Sequence, residues 1–308
     1  MKNTATLKGF AAIALWSVTV GLARGLSEKL GPLTAAAAVY AVSGTLALAA
    51  LFLRGGHRTL FTGNSRRYLF GCGTLFVAYM LFFYLAIGGA VTREEVLAAG
   101  LLNYLWPVLT LIGTVVILGN RWRWPLVPGT LLALAGIYLV IAAGGGLSWD
   151  AFAAMLARSP VVYLCGAAAA VVWALYSVLA RKWGGDDAGG AVALFLPVTA
   201  AVLLLLSLFA DEPRRWNGTV VAELTALGLA TFLGYQFWDD AMRRGTVVLV
   251  AAASYLTPLL ATLFAALYLG VAPGLSLWLG CFLLIVGSLI SWRSVGDRSP
   301  DAAREVLR

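Results

Sequence analysis

Ten runs of about twenty apolar residues follow one another along this 308-residue chain. A helix of that length crosses a bilayer core about 30 Å thick. The runs fall at about 7–26, 33–53, 68–89, 95–118, 125–144, 160–180, 190–210, 221–239, 246–269 and 274–292, and no loop between them is long enough for a separate domain. Only 12% of the residues are charged, about half the usual share of a soluble protein. The predicted fold is an all-α polytopic membrane protein of ten transmembrane helices. The first run, flanked by Lys2 and Lys8, has the composition of a signal peptide. No small-residue cleavage site follows it, and it has a counterpart deep in the chain, so it counts as a span.

The counterpart belongs to an internal repeat. Gly9, Trp16, Ala23 and Arg24 recur as Gly166, Trp173, Ala180 and Arg181, at a constant offset of 157. Tyr84, Tyr104, Leu105, Pro107, Gly129 and Gly136 recur as Tyr235, Tyr255, Leu256, Pro258, Gly280 and Gly287, at an offset of 151. The first unit covers residues 1–153 and the second 154–308. Each holds five spans, and an odd number turns the second unit upside down relative to the first. Inverted repeats of this kind are a plan of secondary transporters, which bind substrate near the midplane between the repeats.

With the amino terminus inside, the inner segments hold sixteen of the 22 Lys and Arg residues and the outer segments six. That bias predicts cytoplasmic termini. The net charge of +8 is scattered in pairs through short loops, which is a topology signal rather than a nucleic-acid surface. Cys72, Cys165 and Cys281 sit singly, and His57 is the one histidine. No metal centre, disulfide framework or cofactor is expected from such material.

Pro107 and Pro258 interrupt the fourth and ninth runs, in Asn103-Tyr104-Leu105-Trp106-Pro107 and Ser254-Tyr255-Leu256-Thr257-Pro258. A proline in a helix interior removes one hydrogen bond and costs roughly 3 kcal/mol. The carbonyls released are those of Asn103 and Ser254, and unsatisfied backbone at membrane depth is tolerated only against protein or a water-filled cavity. Both stretches are predicted to be kinked, cavity-facing segments, with the prolines as candidate hinges.

These features together resemble the drug/metabolite transporter superfamily, in its EamA-type branch. Leu15-Trp16-Ser17, Gly21-Leu22-Ala23-Arg24-Gly25 and Gly31-Pro32, with the Asn103–Pro107 motif, resemble most closely a bacterial inner-membrane group within it. The resemblance covers nearly the whole chain and implies export of amino acids, aromatic ones among them, from cytoplasm to periplasm. In many members a Glu follows the Leu-Gly that ends the fourth helix. Here those positions are Asn120 and Val271, so no role for that Glu carries over.

A site for such a substrate is expected to stack rings and to satisfy an ammonium and a carboxylate. Trp16, Tyr79, Tyr104, Trp106 and Trp173 are mid-span aromatics with polar tips, while Trp and Tyr ordinarily gather at the interfaces. As a set they suit an aromatic-lined cavity, although helix packing accounts equally for any one of them. Tyr235, Gln236 and Tyr255 are the second-half candidates. The carbonyls near Asn103 and Ser254 are candidate acceptors for the ammonium; the Asn103 and Ser17 side chains are candidate donors to the carboxylate, against the commoner role of such residues as glue between helices.

All 14 Asp and Glu residues lie at span ends, in loops or in tails, whereas an ion-coupled carrier usually keeps an ionisable group at depth. Glu94, Glu223 and Asp239 come nearest and read as solvated span ends. The expected transport is therefore facilitated rather than tightly ion-coupled. Small residues on the fifth and tenth spans (Gly129, Ala133, Gly136, Gly280, Gly287) predict close packing within the chain, or less commonly a weak homodimer face. Two readings stay open beside amino-acid export: a drug or other metabolite exporter, and a membrane enzyme acting on lipid. The second would rely on Asp239-Asp240 with Arg243-Arg244, the one acidic cluster near a membrane face.

Overall fold

A computed structural model describes residues 2–58, 60–91, 99–100, 102–142, 150, 157–184, 190–269 and 274–296. Apart from two-residue strands it is helical: α1 (Lys2–Leu30), α2 (Pro32–Leu53), α3 (Gly73–Gly89), α4 (Trp106–Val116), α5 (Leu126–Ala142), α6 (Pro160–Trp183), α7 (Val192–Ser207), α8 (Gly218–Arg244), α9 (Val247–Ala253), α10 (Thr257–Leu269) and α11 (Leu275–Ser294). Pro32–Leu53, Arg67–Ile87, Pro160–Trp183 and Gly218–Arg244 are long and apolar enough to cross a membrane. A wide-turn π-helical segment, Arg67–Cys72, opens the second of these. Large apolar side chains stand exposed along several helices, among them Leu164, Leu205, Phe282 and Leu289, the surface a chain presents to lipid rather than water.

The helix ends show why the chain turns where it does. Gly31, at φ +86°, enters α2 in a conformation that other residues resist, and Pro32 takes the first turn. No side chain within α2 caps it. Instead the Glu212 carboxylate, arriving from the α7–α8 connection, accepts from the backbone N–H of Leu33 (2.8 Å) and of Thr34 (2.7 Å). Asn217 caps α8 by accepting from Val220 N at 2.8 Å.

Helices pack in matching sets. α1 lies along α8, and α6 along α3; α4 contacts α6, and α10 contacts α1; α2 pairs with α7 and α5 with α11. The α5–α11 seam is the tightest. A Cβ on Gly136 would sit 2.6 Å from the Leu284 backbone nitrogen and 2.7 Å from the Gly280 carbonyl oxygen, and Gly287 meets the Ala133 and Gly129 backbones as closely. The small residues of the fifth and tenth spans are thus consumed in a contact within the chain. That outcome favours packing over a dimer face at this position.

At each proline the regular α-helix is interrupted by a short turn. Tyr104 and Leu105 form a turn, and α4 begins at Trp106 with Pro107 in its first turn. The ninth segment runs as α9, a single 3-10 turn over Ser254–Leu256, and then α10 with Pro258 at its second residue. In a first turn the N–H that proline lacks would have had no partner anyway, so most of the anticipated interior cost is avoided.

Gly270, Val271, Glu94 and the tail after Gly296 lie outside the described residues.

Candidate functional site

Five of the anticipated aromatics come together at the centre of the largest buried cluster. Trp173 on α6 is 2% exposed. Its ring lies 4.7 Å from that of Tyr79, 5.7 Å from Tyr235, 5.9 Å from Trp16 and 6.5 Å from Trp106, centre to centre. Those rings come from α1, α3, α4 and α8, so five helices converge on one indole. Most pairs are tilted or edge-to-face, geometries that bring a ring's positive edge to a neighbour's negative face, worth about 0.5–1.5 kcal/mol each beyond burial.

Trp238, Tyr176, Phe76 and Tyr40 complete the cluster and were not anticipated. Trp238 is fully buried, 5.2 Å from both Trp16 and Trp106, and its indole N–H donates to Ser177 Oγ at 3.1 Å. Tyr40 donates to Tyr235 Oη at 2.9 Å beside the Met80 sulfur. The available signal was spacing: Trp238 follows Tyr235 by three positions, as Tyr176 follows Trp173 and Tyr79 follows Phe76, and residues three apart share a helix face.

The polar candidates divide. Asn103 is buried at the turn before α4, its side chain paired with the Tyr79 hydroxyl while its Oδ1 has no partner. It is the anticipated polar residue that the structure sets against the rings with an acceptor to spare. Ser17 instead donates to the Ile13 carbonyl at 2.8 Å and reaches the Thr257 carbonyl at 3.4 Å. Ser254 donates to the Ala251 carbonyl at 2.6 Å. The Ser254 carbonyl, anticipated to be free, accepts from the Thr257 N–H because the 3-10 turn closes on it. Tyr255 and Tyr104 belong to a second cluster against α5 and α11, so the structure does not bring them to Trp173. Gln236 is half-buried on α8 beside Tyr235.

One anticipated reading is corrected. Asp239 is no solvated span end: its side chain and that of Arg243 are both 0% exposed. Arg243 Nε donates to Asp239 Oδ2 at 2.8 Å, and the Tyr68 and Tyr176 hydroxyls donate to Oδ1 at 2.7 and 2.9 Å. Ala191 N in turn donates to Tyr68 Oη at 3.2 Å. Neighbouring Asp240 pairs with Lys8 at 2.6 Å and with Arg244. The network joins α1, the π-helical turn before α3, α6, the start of α7 and the end of α8. Burial wins over solvation because the carboxylate is fully satisfied there. The signal in the sequence was Asp-x3-Arg twice over, the helical i,i+4 ion-pair spacing. Glu223, by contrast, is partly exposed and pairs with Lys29 at 2.8 Å.

Apolar packing differs between the two ends. The ring cluster extends to Tyr68, Ala180, Val192 and Met242 around the Asp239 network. Towards the opposite end the described residues form two separate clusters, one of α1, α2 and α8 around Leu30 and Val39, the other around Ala86, Ala99 and Tyr163.

The profile of the EamA-like transporter family matches residues 3–142 and again 160–293. The chain belongs to that family. It is 36% identical over 295 residues to the aromatic amino acid exporter YddG of Salmonella typhimurium, covering 96% of this chain and 98% of the relative. The protein of the same name from Escherichia coli K12 is 34% identical, with 94% and 97% covered. A crystal structure 31% identical superposes with a TM-score of 0.77 over 94% of this chain and 98% of that one. This EamA-like chain is therefore a multi-pass protein of bacterial membranes, from a family of transporters rather than enzymes.

Proposed function

We propose that this EamA-like protein exports amino acids, aromatic and other neutral ones, across the bacterial inner membrane by alternating access. The observation that carries the reading is the convergence of five helices on Trp173, with Tyr79, Trp106, Trp16 and Tyr235 around it. Rings held edge-to-face by rings are a setting an incoming aromatic side chain reproduces, and the spare Oδ1 of Asn103 is an acceptor for its ammonium. The names of the relatives from Salmonella and Escherichia coli point to the same substrate class.

Ten spans in two inverted halves, 1–153 and 154–308, are supported by three observations. The family profile matches twice. Helix contacts occur in pairs that exchange when the fifth-following span is substituted, α1–α8 with α6–α3 and α4–α6 with α10–α1. Both prolines restart a helix at matched points. The excess of basic residues on one side supports cytoplasmic termini. On that orientation the Asp239 network closes the cytoplasmic end. The breaks at Pro107 and Pro258 are the points about which the helix groups rock. With Asp239 held by Arg243, transport is facilitated rather than driven by protons.

The test is a panel of individual amino acids presented to proteoliposomes, for the wild type and for Trp106→Ala and Trp106→Phe. Aromatic substrates should lose about tenfold in apparent affinity with Ala, smaller neutral ones much less, and Phe should restore most of the loss. Uniform losses that follow protein abundance would return Trp106 to packing. Accumulation driven by a pH gradient alone would exclude the facilitated mechanism.

A further inference from the structure

A groove of about 370 Å³ runs between α1, the α9–α10 segment and α11. Its walls include Phe10 on α1, Leu249, Leu256 and Leu260 on the α9–α10 segment, and Ile285 and Trp292 on α11. The outer rim is open, with Phe10, Leu260 and Leu289 each more than a third exposed. Since these helices stand in the membrane, what lies against that rim is lipid. From Leu249 to Leu260 the wall is roughly 17 Å long at 1.5–2.0 Å per residue, close to the thickness of one leaflet of a core about 30 Å thick. The volume falls in the usual range for a ligand-sized cavity, about 300–1,000 Å³.

The end of the groove is charged. Trp292 closes it, and the next residue, Arg293, is exposed in the last turn of α11. Beyond it β2 (Val295–Gly296) pairs antiparallel with β1 (Arg121–Trp122), and Arg123 N donates to the Ser294 carbonyl at 2.8 Å. This two-residue ribbon brings exposed Arg121 and Arg123 to the foot of α11, with Trp122 and Trp124 exposed beside them. The groove thus has an apolar body of leaflet depth and a cluster of three arginines at the level of the headgroups. Ser288, 7% exposed, turns an unpartnered hydroxyl into it.

We propose that this groove is a binding site for an anionic phospholipid, one acyl chain lying against Leu256 and Leu260 and the phosphate meeting Arg121, Arg123 and Arg293. Trp292 at the end of the groove and exposed Trp122 and Trp124 beside the arginines suit the interface, and guanidinium groups bind phosphate oxygens in pairs. On the proposed orientation the lipid comes from the cytoplasmic leaflet, but binding itself does not depend on that orientation or on the transported substrate.

The experiment uses the full chain, purified in detergent and mixed with dioleoyl phosphatidylglycerol or dioleoyl phosphatidylcholine, with bound lipid read by native mass spectrometry. The wild type should retain the anionic lipid at least about fivefold more than the zwitterionic one. The combined variant Arg121→Gln, Arg123→Gln, Arg293→Gln should abolish the preference. Ser288→Phe, which fills the groove without touching charge, should lower retention of both lipids; if it melts early, Leu260→Trp fills the groove from its exposed wall. Equal retention of the two lipids by the wild type overturns the proposal, as does a preference that survives loss of the three arginines. So does undiminished retention in a folded groove-filling variant.

Discussion

Replacing Asp239 with Asn changes one atom's chemistry and leaves its volume, which makes the buried network open to a quantitative test. In the wild type the carboxylate accepts from Arg243 at 2.8 Å and from two tyrosine hydroxyls, with both charged side chains 0% exposed. In Asp239→Asn the guanidinium stays buried without a counter-charge and faces an amide N–H. Breaking one side of a buried pair costs about 3–5 kcal/mol, against a total stability of about 5–15 kcal/mol for a typical domain. At about 2 °C per kcal/mol for a chain of this size, melting in detergent should fall by roughly 6–10 °C. Asp239→Leu with Arg243→Met removes both charges and should recover most of that loss, because well-packed apolar replacements of buried pairs are close to neutral. Cys72, fully buried in the π-helical turn beside Tyr68, reports on closure of that end. In a Cys165→Ala, Cys281→Ala background its reaction with a maleimide should be slow in the wild type and at least about tenfold faster in Asp239→Asn. An Asp239→Asn protein that melts like the wild type, or a double variant as unstable as the single one, would refute the argument that the pair is held by mutual need.

Trp173→Ala removes the ring that five helices share and should cost about 3–5 kcal/mol, read as a lower melting temperature, whereas Trp173→Phe should recover about half. Pro107→Ala and Pro258→Ala should change melting by less than about 1 kcal/mol, since each proline occupies a first helical turn; transport at the full wild-type rate would remove their role as hinges. Gly136→Val and Gly287→Val should each reduce folded yield sharply, because the added carbons meet backbone across the α5–α11 seam. Lys29→Gln should shift stability by no more than about 1 kcal/mol, its partner Glu223 being partly exposed, and a larger effect would mark that pair as a second lock.

The sequence made the helical class plain because apolar run length is a one-dimensional quantity. The aromatic set was legible because its members stand mid-run in the sequence, and Trp16 and Trp173 also match through the repeat. Which way a side chain turns is not fixed by depth. Tyr104 and Tyr255, matched by the repeat, pack instead in the cluster with α5 and α11. The proline argument located the interruptions at Pro107 and Pro258, but each ring sits in a first helical turn, where the cost of a ring in a helix interior is largely avoided. Asp239 was misjudged on a rule about single residues. A carboxylate at a span end is ordinarily wet, but Tyr68 and Tyr176, distant in sequence, arrive to satisfy it.

The two ends of the molecule are held by different physics, and this gives the proposed cycle a direction. At the Asp239 end, charge-assisted bonds and the apolar shell around them reinforce one another, since the shell raises the strength of each bond. At the other end, helices α1, α2 and α8 are tied among themselves by Lys29–Glu223 and the Glu212 cap, while the group around Ala86, Ala99 and Tyr163 packs separately. Opening at the Asp239 end needs the carboxylate and guanidinium to be rehydrated together. On the proposed orientation, a substrate entering among the rings from the cytoplasm offers ring contacts only after that end has opened. In the proposed cycle the Asp239 network is the barrier to entry, and substrate binding at the proposed Trp173 site is what offsets it.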